Sequence, residues 1–66
     1  MKITLNGQIK EIPSAMDLKT LIEEFCKNSQ HVIAEHNGMI IKNEQWETRS
    51  IAENDVLELI TLVGGG

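Results

Sequence analysis

Few side chains in this 66-residue chain could do chemistry. Cys26 is its only cysteine, and His31 and His36 are its only histidines. With no CxxC or HxxxH spacing they are too few for a structural zinc site, so no metal is expected. A separation of five would send His31 and His36 to opposite faces of a straight strand, and both read as solvated. Cys26 lies one position round a helix from Phe25, beside Lys27. It could be a thiol nucleophile, but a small half-buried filler is the stronger reading. Glu23 and Glu24 are adjacent on an exposed helix face, where neither carboxylate is desolvated enough for acid–base work. Trp46 reads as a packing residue with its indole N–H satisfied. No catalytic residue is expected. The chain reads as a substrate of other enzymes rather than an enzyme.

One reactive group is left, the α-carboxylate of Gly66 at the end of "LITLVGGG". A carboxylate is a poor electrophile, because resonance and charge repel attack. Transfer of AMP from ATP would make it an acyl adenylate with a good leaving group. Extended, Gly64, Gly65 and Gly66 would reach about 10 Å at ~3.3–3.6 Å per residue. Without Cβ atoms they can enter a narrow tunnel and adopt angles closed to other residues. A frayed end or a cloning remnant is the plain alternative. A phosphate-binding loop is excluded, because such loops open a helix and this triglycine precedes nothing.

The element that must aim this thread is the β-prone run "VLELITLV" at 56–63. If Leu57 and Leu59 face the core, Val56, Glu58, Ile60 and Leu62 face outward, and the apolar members form a partner surface adjoining the tail. Upstream, "KITL" at 2–5 alternates as a half-buried strand, and Asn6-Gly7 signals a type I′ hairpin returning over Gln8–Ile12. A strict two-residue loop would pair Thr4 with Ile9 and Ile3 with Lys10, mixing polar with apolar. A bulge or longer loop is expected to correct this. After Pro13, Leu18, Leu21, Ile22 and Phe25 form one stripe at i, i+3, i+4 and i+7, giving a helix over 17–28. Asp17 is its N-cap, with Ser14 the rival, and Asn28 and Ser29 are the terminators. "HVIAE" at 31–35 and "MII" at 39–41 flank a second Asn-Gly signal at 37–38. Residues 42–55 are polar and turn-rich. The expected core is Ile3, Leu5, Leu18, Leu21, Ile22, Phe25, Leu57 and Leu59. The order is ββαββ followed by a final strand, an α+β two-layer arrangement in a single domain over 1–66.

The six basic residues are scattered and the net charge is −4. With no patch to track phosphates, the balance speaks against nucleic acid and for basic protein partners. No apolar run approaches the ~20 residues that span a bilayer, so no membrane partner is expected. "MKITLNGQ" turns polar too soon for a signal peptide, and a lone cysteine fits a reducing, cytoplasmic setting.

Taken together, the short hairpin at Asn6-Gly7, the helix "LKTLIEEF", "HNGMII" followed by "NEQW", the acidic turn "END" and the glycine end resemble the ubiquitin-like β-grasp sulfur carriers. Within them the chain looks like the ThiS type of thiamin thiazole biosynthesis. The resemblance covers the whole chain, and "EQW" at 44–46 and the glycines are its more specific parts. It implies a mixed sheet packed on one main helix. It also implies that Gly66 is adenylated by an E1-like adenylyltransferase using ATP, with no cofactor bound stably by the carrier. A sulfur-donating enzyme would then supply sulfur for a thiocarboxylate, delivered to thiazole synthase. The family often carries Pro-Arg shortly before the tryptophan. Lys42-Asn43 stand there, so no contact through that arginine carries over. The small subunit of molybdopterin synthase, with the same terminus and adenylation, is the main rival, and a β-grasp binding module with an incidental tail is another.

Overall fold

The computed structural model describes residues 1–13, 15–26 and 31–61. Strands β1 (Lys2–Leu5) and β2 (Gln8–Glu11) are followed by helix α1 (Leu18–Phe25). Then come β3 (Val32–His36), β4 (Met39–Ile41), a 3-10 helix at Asn43–Thr48, and β5 (Val56–Thr61). The five strands form one sheet in the order β2-β1-β5-β3-β4. The β1–β5 pair is parallel and the other pairs are antiparallel, so the sheet is mixed and β5 runs through its centre. This is the β-grasp arrangement expected from the resemblance.

Both hairpins turn where Asn-Gly stands. Asn6 and Gly7 have φ of 50° and 80°, and Asn37 and Gly38 have 51° and 86°. These are the left-handed angles a type I′ turn requires of both central residues, and asparagine and glycine adopt them at least cost. The expected bulge is absent. Thr4 pairs with Ile9 and Ile3 with Lys10 in an unbroken two-residue hairpin. The strands tolerate this because β2 is an edge strand. Ile9 is left 75% exposed on the outer face, while Lys10 is only half-buried on the inner face beside Ile3.

Helix α1 begins at Asp17, whose Oδ1 accepts from the Thr20 N–H at 2.8 Å. That satisfies one of the free N–H groups of the first turn, worth about 1 kcal/mol, and it decides the start in favour of Asp17. Leu18, Leu21 and Ile22 are buried against Ile3, Leu5, Leu57, Leu59, Ala34 and Ile41 on the inner sheet face. Each such side chain stabilises the fold by roughly 1.5–3 kcal/mol. Phe25 departs from the expected core. It is 40% exposed and opens on a groove with Glu11, Ile12, Pro13, Met16 and Glu24. As the last helical residue it overhangs the end of the apolar stripe, where Cys26 is already extended. The helix therefore stops short of the expected 17–28, ending at Phe25; the expected terminators Asn28 and Ser29 lie outside the described residues, as does Ser14.

The polar stretch before β5 holds a 3-10 helix that closes the core from the side. Its Trp46 is buried, and the indole N–H donates to the Ile41 carbonyl at 3.0 Å. The arm then runs back along the start of α1, with the Leu18 N–H donating to Arg49 O (2.8 Å) and the Ile51 N–H to Met16 O (2.9 Å).

Candidate functional site: the outer face of the central strand

β5 alternates between faces with period two. Leu57 and Leu59 are buried, and Val56, Glu58, Ile60 and Thr61 are exposed. Val56 and Ile60 are each 47% exposed. Leu62 and the glycines Gly64, Gly65 and Gly66, to which the strip was expected to lead, lie outside the described residues.

Two asparagines hold β5 at set points. β1 pairs with β5 only through Thr4↔Val56 and Leu5↔Leu57. Beyond that, the side chain of Asn6 takes over the ladder, its Oδ1 accepting from the Leu59 N–H at 2.8 Å and its Nδ2 donating to the Leu59 carbonyl at 3.3 Å. At the start of β5, Asn37 Oδ1 accepts from the Val56 N–H and the Asn37 N–H donates to the Val56 carbonyl, both at 2.8 Å. Each Asn-Gly turn therefore does two things: it reverses a hairpin and it pins the strand that leads toward the tail. The dipeptide signalled the turn, but nothing local in the sequence signalled the clamp.

Beneath Asn37 lies a polar joint that corrects the reading of His36 as solvated. His36 is 5% exposed on the inner face with Ala34, because strand alternation puts the two on one side. Arg49 Nε donates to its Nδ1 at 3.0 Å, and its Nε2 lies 2.6 Å from Asp55 Oδ2. Since Arg49 Nε can only donate, Nδ1 accepts and the ring proton sits on Nε2, facing Asp55. Burial pushes the Asp55 carboxyl up. The hydrogen bonds from His36, the Ala52 N–H and Asn37 outweigh it and hold the group below its ordinary value. Both ring nitrogens are occupied, leaving none to serve a substrate, so the joint is structural. It fixes the turn before β5 to the β3–β4 hairpin. His31 is exposed, and Cys26 is half-buried with its thiol pushed up by burial.

Pairing brings further residues to the strip that sequence reasoning missed. Ile33 stands opposite Ile60, Glu35 opposite Glu58, and Ile40 opposite Glu35. Ile33 and Ile40 are exposed large aliphatics like Val56 and Ile60. The signal was available in the alternation of "VIAEH" at 32–36, where Ile33 and Glu35 share one face and Ala34 and His36 the other. The outer face is thus an aliphatic surface spread over three adjacent strands around two carboxylates. Among the described residues, no helix is long and apolar enough to cross a membrane.

The comparisons agree with this fold. The crystal structure of the thiamine biosynthesis protein ThiS from Geobacter metallireducens superposes with a TM-score of 0.87 over the whole of both chains at 22% identity, which establishes the shared fold. The uncharacterized protein ycf40 of Trieres chinensis is 36% identical over 62 residues, 94% of this chain and 85% of its own. A thiazole synthase of Paramagnetospirillum magneticum is 27% identical over all 66 residues, but this chain spans only 20% of its length. The ThiS family model matches residues 3–66, from the first strand through the glycines, and the chain belongs to the ThiS family.

Proposed function

We propose that the protein is a sulfur carrier whose Gly66 carboxylate is activated and then loaded with sulfur for the thiazole ring of thiamin. In the first step a carboxylate oxygen attacks the α-phosphorus of ATP on an E1-like adenylyltransferase, expelling pyrophosphate and forming an acyl adenylate. Sulfide-level sulfur from a sulfur-donating enzyme then displaces AMP and leaves a thiocarboxylate. That group stays ionised and is softer than a carboxylate, which suits it to attack a carbon electrophile on thiazole synthase. The carrier supplies no catalytic side chain and binds no cofactor stably, and ATP belongs to its partner. Gly64 and Gly65 serve as the thread, and Val56, Glu58, Ile60 and Leu62 as the docking strip.

The observation that carries this reading is the family match running through residue 66, so that it includes the triglycine. The thiazole synthase that contains a segment similar to the whole chain supports thiazole formation as the destination of the sulfur. The experiment is ATP-dependent pyrophosphate release with the cognate adenylating enzyme. A chain extended by one residue after Gly66 should be inert, because the carboxylate moves by ~3.3–3.6 Å, whereas ~1 Å can already cost about 100-fold. Undiminished release from the extended chain would exclude the carrier reading and leave a binding module.

A further inference from the structure

Glu35 on β3 stands directly across from Glu58 on β5, and like charges at opposed positions weaken a sheet. Among the described residues neither carboxylate is ion-paired; the ion pair present there is Lys19–Glu47, and His36 engages Asp55 through its Nε2 proton. The two acids are ringed by aliphatics: Val56 and Ile60 flank Glu58 along β5, Ile33 faces Ile60, and Ile40 faces Glu35. A partner that covers these aliphatics must also take the two carboxylates out of water, and an unpaired buried charge is costly. A second copy of this chain would bring the same two acids and its own net charge of −4, so self-association is opposed. The complementary occupant is a protein face with apolar side chains around one cation. A guanidinium suits the place better than an ammonium, because its planar fork of donors can serve two carboxylates at once.

We infer that the Glu35–Glu58 pair receives one arginine of the adenylating enzyme and selects that partner, the aliphatic ring supplying contact area around it. The inference rests on the carrier reading for the identity of the partner. The pair weakens the free carrier and acts only in the complex, so stability and recognition should move in opposite directions when it is removed.

The test is the affinity of the purified cognate adenylating enzyme for the wild-type carrier and for the Glu35→Gln/Glu58→Gln double variant, without ATP and at two salt concentrations. The variant should bind roughly 10-fold or more weakly, as for a charge pair cut at a desolvated interface, and its affinity should depend less on salt. Its melting temperature should be equal to or above that of the wild type. Equal affinity of the two proteins overturns the inference, and so does the lack of any binding by the wild type. A clear fall in melting temperature overturns it as well, because the pair would then be holding the fold. Pyrophosphate release, measured in parallel at saturating carrier, reads the Gly66 chemistry alone. The carrier reading and the docking inference can therefore fail separately.

Discussion

The two faces of the sheet are both rich in aliphatic side chains, and they differ in what covers them. On the inner face Ile3, Leu5, Ala34, Ile41, Leu57 and Leu59 are buried under α1 and Trp46. On the outer face Ile9, Ile33, Ile40, Val56 and Ile60 stand in solvent, with two opposed glutamates among them. Scattered surface aliphatics are ordinary, but those gathered on β5, β3 and β4 are what the proposed docking surface is built from. In a chain this small the single core has little stability in reserve. Under the proposed function, the contrast divides folding and recognition between the two faces.

Substitutions can break that division, beginning with the largest expected effect. Leu21→Ala removes a fully buried side chain from the centre of the helix–sheet contact and should cost about 2–5 kcal/mol in urea or thermal unfolding. A loss below about 1 kcal/mol would place the core elsewhere. His36→Ala should cost roughly 1–3 kcal/mol, because it strips Asp55 and Arg49 of their shared partner. A neutral result would show that the joint beneath Asn37 does not hold the β3–β4 hairpin to β5.

Acid should loosen the same joint. Asp55 and Asp17 are both held below the ordinary aspartate value, and such carboxylates contribute stability that is complete above the unfolded value. That contribution is lost as the pH falls through the lower folded value. Stability measured from pH 5 downward should therefore decline once the pH falls below the ordinary aspartate range. Asp55→Asn should flatten part of the decline, and an unchanged acid slope in that variant would contradict the cause given for it.

The smallest effect on stability is expected on the outer face, and there it sharpens the comparison most. Ile60→Lys should shift unfolding by no more than about 0.5 kcal/mol, while association with the adenylating enzyme weakens markedly. If the substitution melts the protein instead, the outer face is part of the fold and the division is wrong.

Much of the inner face was legible in the sequence because its signals are local. The stripe of Leu18, Leu21 and Ile22, the Asp17 cap, the alternation of "VLELI" and the positive φ required by each Asn-Gly all act over a few residues. What escaped depended on pairing, on where the helix ends, or on an element too short to show a period. The hairpin register looked wrong because an edge strand was judged as though both its faces needed filling. Phe25 fitted the helical period but falls at the helix end, and His36 looked solvated until Asp55 and Arg49 were brought to it. The 3-10 helix at Asn43–Thr48 is too short and too polar to show a period. The candidate site was half visible. Val56, Glu58 and Ile60 follow from one strand's alternation, whereas Ile33, Glu35 and Ile40 join them only once β3 and β4 are placed beside β5.

The most direct measurement is the intact mass of the protein isolated from its native cell during thiamin synthesis. We expect a species heavier than the unmodified chain by the difference between one sulfur and one oxygen, with fragmentation locating the change at Gly66. A population carrying only oxygen there, or any residue following Gly66 in the mature chain, would contradict the carrier mechanism.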